Sequence, residues 1–285
     1  MTVITSKQSF DPETVPLGKG RPTKDELIAH YPAKFTWTQL KAFINSGDLR
    51  LLKRDKKLQE RYLEHTKALK AQFGSITNYL INHRLQWGKV DTLSMLSPDY
   101  DPSLKPQWDP LTVGNPTTTK GLPTLPPDAP KYFTADVPLQ YLFIMYNDWP
   151  YSVPPEIEHF LVWSRVPFLP EVIPETVRQR VGHYGLWGFA GCSEPPQTPS
   201  TLPSLLGALS EWGITLDMLK IPPECSAEEE ASLEETGKEI HAFIKNRWPQ
   251  EEWETGWFVN PPSIQSVPEL PHIHVFAKRK DFVTR

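Results

Sequence analysis

Cysteine is scarce in this 285-residue chain: Cys192 and Cys225 are the whole complement. No CxxC pair and no Cys/His spacing of the zinc-binding kind is present, so neither a disulfide framework nor a structural zinc site has support. A reducing, cytosolic setting is the expectation, with no metal and no other cofactor. Long hydrophobic runs are also missing. The longest uncharged apolar stretch, Val137 to Asn147, is too short to span a bilayer, and the N-terminal MTVITSKQSFDPETVPLGKG has no apolar signal core. Nothing in it points to a membrane. Charge of one sign is lacking as well: 30 basic against 34 acidic residues leave a formal net charge of -4, which excludes a surface that is basic all over, though not a local basic patch.

Proline, by contrast, is abundant. There are 31 prolines, about 11% of the chain where about 5% is usual. Proline and glycine together stay near 16%, below the roughly 25–30% of low-complexity disorder. The composition predicts a globular, loop-rich protein. Ten tryptophans, nine tyrosines and thirteen phenylalanines, with 39% hydrophobic residues, can fill a sizeable core.

Along the chain, residues 1–33 mix Pro, Gly, Lys and Thr without periodicity and read as an extended arm. Thr36 can cap a helix carrying Trp37, Leu40, Phe43 and Ile44, with Gly47 at its end. Asp55 opens a longer helix whose Leu58, Tyr62, Leu69 and Phe73 share a face, stopped by Gly74, and a third runs from Ser75 to Trp87. Nine prolines among residues 97–130 exclude helix and central strand there. Leu139 to Tyr146 and His159 to Arg165 read as two antiparallel strands. Residues 178–225 read as a second proline-rich insertion, with a short helix near Leu205 to Trp212. Ser226 opens a helix with a capping box, burying Leu233, Ile240, Phe243 and Ile244, and strands follow at Thr255 to Asn260 and Pro271 to Lys278. The order predicts one α+β domain over 34–285: N-terminal helices packed on an antiparallel sheet, with long loops at 97–130 and 178–225.

Several residue sets invite chemistry. In a strand, H-I-H places His272, His274 and Phe276 on one face; two imidazoles so placed suit acid/base work, nucleophilic catalysis or metal binding, or else simple packing. N-D-W-P-Y at 147–151 leaves a strand at a proline-fixed turn, presenting Asp148 beside Asn147, Trp149 and Tyr151, either as a ligand-orienting carboxylate or as an Asx turn. Alternation puts His159, Leu161, Trp163 and Arg165 on one side of their strand. Asn260, Gln265 and Ser266 precede the histidines, Ser266 being the one nucleophile candidate. Asn, Gln and alternating His partly resemble the histidine-triad nucleotide hydrolases and transferases, but Phe276 stands where a third His belongs. Lys53, Arg54, Lys56, Lys57, Arg61, Lys67 and Lys70, with Arg84 beyond, form a basic stripe suited to a phosphate backbone or simply to solvent.

W-T-Q-L-K at 37–41, L-L-K-R-D at 51–55, F-G-S-I-T-N-Y-L at 73–80, N-D-W-P-Y, E-H-F-L-V-W-S-R at 158–165, W-F-V-N and S-I-Q-S-V-P-E-L-P-H-I-H-V occur in an order that resembles a fungal domain family. That family, long labelled as of unknown function, includes the N-acetylglucosamine-induced proteins, and some of its members are arginine-containing cyclodipeptide synthases. The resemblance implies a transferase that condenses arginine from arginyl-tRNA with an amino acid from a second aminoacyl-tRNA and closes a diketopiperazine. An aminoacyl ester is already activated, so such a reaction needs a base and oxyanion donors rather than ATP. Under that implication His274 and His272 are bases, Gln265, Asn260 or Ser266 oxyanion donors, Asp148 with Trp149, Tyr151 or Trp163 a guanidinium site, and the basic stripe a tRNA contact. The alternatives are a histidine-dependent nucleotide or sugar-phosphate transferase or hydrolase, and a non-catalytic small-ligand-binding protein.

Overall fold

The computed structural model describes residues 11–104, 124–194, 196, 207, 209–219, 222–265, 267 and 270–280. It is an α+β domain on a five-stranded, wholly antiparallel sheet of order β1-β2-β5-β4-β3. The strands are β1 (Leu142–Tyr146), β2 (Ile157–Ser164), β3 (Leu186–Ala190), β4 (Trp253–Val259) and β5 (His272–Arg279). The helices are α1 (Lys24–His30), α2 (Trp37–Asn45), α3 (Lys56–Phe73), α4 (Ile76–Tyr79), α5 (Glu175–Tyr184) and α6 (Ala227–Arg247).

The helix starts follow local capping chemistry. Thr36 accepts the Gln39 N–H while Gln39 reaches back, and Ser226 and Glu229 make the same box at α6. Asp55 accepts the N–H groups of Lys57 and Leu58 at the head of α3, and Gly74, at φ +78°, ends it. Three expectations change. Within the expected arm, Thr23 and Glu26 form a third capping box, so residues 24–30 are helix rather than extended chain. The helix from Ser75 ends in a π turn at Arg84, short of Trp87. The 178–225 segment is not all loop: α5 occupies its beginning, placing Val177 and Val181 on one buried face, and β3 pairs with β4. Of the short helix expected at Leu205 to Trp212, residues 205, 206 and 208 lie outside the described residues, and a 3-10 turn spans Ser210–Trp212.

Pairing register decides what shares a face. Because β2 and β5 align Leu161 with His274, Trp163 with His272 and His159 with Phe276, all six point to one side of the sheet. That side packs on α2, through Leu40, Phe43 and Ile44 against Phe258 and Phe276. The other side, with Phe160, Val162, Ile273 and Val275, packs on α5 and α6 through Val177, Ile240, Phe243 and Ile244. Both faces are covered, so β5 is buried from His272 to Ala277, and two polar rings lie deep in an apolar layer. Among the described residues, no helix is long and apolar enough to cross a membrane.

The turn from α5 into β3 depends on Gly185, at φ +78°, where an added Cβ would lie 2.2 Å from the Val259 carbonyl oxygen. Gly182, in α5, has nothing within 4 Å of such a Cβ. Gly185→Ala is therefore expected to destabilise the fold by several kcal/mol, whereas Gly182→Ala stabilises it by up to about 1 kcal/mol. Urea midpoints of the two variants check this.

Candidate functional site

The N-D-W-P-Y turn and the β2–β5 register together build the site. The Asn147 N–H donates to the His159 carbonyl at 2.7 Å, and its side-chain oxygen accepts the Trp149 N–H at 3.0 Å, an Asx turn that folds the segment back over β2. This carries the Tyr151 N–H to 3.3 Å from His159 Nδ1. A backbone N–H can only donate, so Nδ1 accepts and the His159 proton sits on Nε2. Nε2 in turn meets His274 Nδ1 at 3.0 Å, placing the second proton on His274 Nε2. That nitrogen lies 3.5 Å from Asn260 Nδ2, and it is the other atom of that amide, Oδ1, that accepts from it once the amide is turned over. Gln265 donates to the Asn260 carbonyl at 2.9 Å and holds that end of the chain. His272 stands apart: its Nδ1–H donates to the Leu270 carbonyl at 3.0 Å and its ring stacks on Trp163, with centroids 4.2 Å apart.

Burial keeps these imidazoles neutral. Desolvation is the dominant cause for all three, with Arg54 and His272 acting in the same direction on His159, and His272, His159 and Arg54 on His274. His159 and His274 are held well below the usual imidazole range, and His272 is pushed down to about 4 although the Leu270 carbonyl opposes the shift. Phe258 stacks on His274 at 4.5 Å and Phe276 on His159 at 4.2 Å, walling the pair from water.

A cleft of about 110 Å³ opens beside His159, lined among others by Lys24, Tyr31, Asn147, Tyr151 and Glu158. Of the expected ligand-facing residues, Asn147, Tyr151 and His159 line it, and His274 lies directly behind His159. Glu158, Tyr146 and the α1 residues were not anticipated. Glu158 carried one visible signal, a charge at the head of an apolar strand, while the approach of α1 had none.

Other expected residues are placed elsewhere. Asp148 is not a vacant carboxylate for a guanidinium ligand, because Arg84 binds it at 2.9 and 3.2 Å and Arg21 at 3.3 Å. Burial would raise its pKa, but Arg84 and Arg21 outweigh this and lower it to about 2. Arg84 is likewise not a surface tRNA contact: it is 1% exposed and also grips Asp91 at 2.8 and 3.0 Å. Trp149 is buried between Tyr62 and His65, and Trp163 in the apolar layer, so neither faces the cleft. Arg54 donates to the Trp149 carbonyl and lies over Tyr62 and Tyr151, and Arg61 pairs with Glu26, so both hold the fold together. Lys53 is half-buried, whereas Lys56, Lys57, Lys67 and Lys70 are exposed along α3. Ser266 lies outside the described residues. Among the described residues, no group of three or more His, Cys, Asp or Glu is arranged to hold a metal ion.

The profile of a family described as proteins of unknown function, DUF3605, matches residues 36–183 and 218–278, which include every element of this site except α1. The chain belongs to the DUF3605 family. Within known proteins, the N-acetylglucosamine-induced protein 1 of Candida albicans (strain SC5314 / ATCC MYA-2876) is 23% identical over 139 residues, covering 46% of this chain and 44% of that relative. The match thus spans less than half the length of the curated relative. A solved structure described as the crystal structure of HTC1 is 20% identical, with a TM-score of 0.40, covering 85% of this chain and 84% of that one, too distant for any inference.

Two outcomes are expected of this DUF3605 protein. Imidazoles whose pKa values are depressed on folding bind fewer protons than in the unfolded chain, so the fold loses stability as pH falls below about 6.5, by up to about 1.4 kcal/mol per pH unit for each histidine still taking part. Urea melts between pH 7 and 5 show this loss, which is smaller in His272→Asn. Arg84→Met leaves Asp91 and Asp148 buried without their shared cation and costs about 3–5 kcal/mol, measured by the same melts at pH 7.

Proposed function

We propose that this protein is a tRNA-dependent cyclodipeptide synthase that takes arginine from arginyl-tRNA and a second amino acid from its own aminoacyl-tRNA. The observation that carries the reading is one of placement: the neutral His159 lines the same cleft as Asp55 and Leu58, at the start of α3, the helix on which Lys56 and Lys57 are exposed. A basic helix leading to a neutral base in a cleft is what an aminoacylated tRNA end requires.

The α-amine of one aminoacyl group attacks the ester carbonyl of the other, the C–N bond forms, and the C–O bond to the ribose breaks. His159 accepts the amine proton and returns it to the departing ribose oxygen. Its Nε2–H is hydrogen-bonded to His274, so the proton acceptor is Nδ1, which takes the amine proton in place of the Tyr151 N–H that it accepts in the free protein. The Asn147 side-chain amide, which lines the cleft and comes within 3.4 Å of the His159 ring, is the nearest donor for the tetrahedral oxyanion. A second aminolysis, now within the dipeptidyl ester, closes the ring and releases the second tRNA. In this reading the base is His159, with His274 positioning it, rather than His274 and His272.

The test is incubation with arginyl-tRNA and each other charged tRNA in the absence of ATP, followed by mass spectrometry for an arginine-containing cyclic dipeptide. His159→Asn is expected to lower kcat by about 100-fold or more. The Lys56→Glu/Lys57→Glu double variant raises KM for tRNA most strongly at low salt and leaves kcat within about twofold. Absence of any cyclic dipeptide across all partners overturns the proposal.

A further inference from the structure

The cleft carries two carboxylates with different obligations. Asp55 is committed: one oxygen accepts the Lys57 and Leu58 N–H groups at 2.9 and 3.4 Å, and the other lies 3.9 Å from Lys34 Nζ. Glu158 is not. It is half-buried on β2, and among the described residues no Lys, Arg or His nitrogen lies within 4 Å of its carboxylate, the Lys24, Arg247 and Arg279 charges acting only from farther away. Its polar neighbour is the hydroxyl of Tyr146, brought near by register, since Tyr146 pairs with Phe160 and Glu158 is the diagonal neighbour on the same face. The rest of the lining combines Tyr31, Tyr151, Leu27 and several prolines with the polar Lys24, Asn147 and Ser152.

A carboxylate drawn partly out of water with no cation beside it, in an aromatic-walled cleft, is a receptor for a cationic group on an otherwise apolar stem. Aromatic faces add to the attraction of a desolvated cation. We infer that Glu158, beside Tyr146, is the specificity-determining residue of the cleft and binds the guanidinium or ammonium of a substrate side chain. The assignment rests on the cleft being the substrate site proposed above. It moves the recognition role from Asp148, which Arg84 and Arg21 already neutralise, to a carboxylate that lines the same cleft as His159 from the opposite face of β2.

Calorimetric titration with the methyl esters of L-arginine, L-lysine and L-citrulline isolates the side-chain charge, because all three carry the same α-amine and ester. The arginine or lysine ester is expected to bind at least tenfold more tightly than the neutral citrulline ester, and Glu158→Gln is expected to abolish that preference with an unchanged melting temperature. If Glu158→Gln does not fold, the ratio of arginine to citrulline affinity in the unaltered protein decides. Equal affinities for the charged and neutral esters, no binding of either cationic ester, or a preference that survives in Glu158→Gln overturns the assignment. The two readings fail separately: ester binding with this pattern but no cyclic dipeptide refutes the reaction alone, while dipeptide formation with unchanged arginine selectivity in Glu158→Gln refutes the subsite alone.

Discussion

The buried guanidinium of Arg84 is the contact on which the site's geometry depends. It emerges from the π turn at the end of α4 and holds Asp91 with one edge and Asp148 with the other, so a helix end, a loop and the β1–β2 turn converge on one planar fork. Arg21 adds the segment before α1 to the same carboxylate and donates to the Leu93 carbonyl at 2.8 Å. A charge taken this far out of water is tolerable only when fully paired, and here four short hydrogen bonds satisfy it. The consequence reaches the cleft. With Asp148 anchored, Asn147 and Tyr151 on either side of it are held against His159.

From that anchor the environment changes from charged to neutral over a few residues. The arginine and aspartate cluster sits under α4, while the neighbouring histidines are neutral, each nitrogen ordered by the one before it, from the Tyr151 N–H through His159 and His274 to Asn260. Stacked aromatic rings exclude water, which removes the charged form of the imidazoles and defines their tautomers. Only His159 lines the cleft. The site therefore consists of one buried ring at the cleft wall backed by a second that orients it, with exposed lysines along α3 and with Glu158 and Tyr146 on the opposite face of the sheet from the rings.

Much of the fold was legible because it is written in short-range chemistry. Thr36, Asp55, Ser75 and Ser226 cap helices where their side chains predict, and the alternation of His272, His274 and Phe276 reports the face they share. What escaped was either short or interrupted. α1 is seven residues of helix in a proline- and glycine-rich neighbourhood, and its cohesion comes from Glu26 meeting Arg61, thirty-five positions away. β3 carries Gly188 in its middle, where an added Cβ would lie 2.7 Å from the Trp257 ring, a packing requirement invisible until β4 is laid beside it.

The site divides along the same line. Residue type and spacing by themselves determined that an antiparallel strand would present two histidines on one side, and that N-D-W-P-Y would turn sharply at a strand end. Which charges those residues would meet was decided only by the tertiary structure. Asp148 and Arg84 looked like a ligand-reading carboxylate and a surface cation, but they neutralise each other across sixty-four positions. Glu158 looked like a strand-end charge and became the carboxylate of the cleft without a counter-ion. Capping and alternation act within a few residues of one another, whereas ion pairing and desolvation depend on neighbours that only folding brings together.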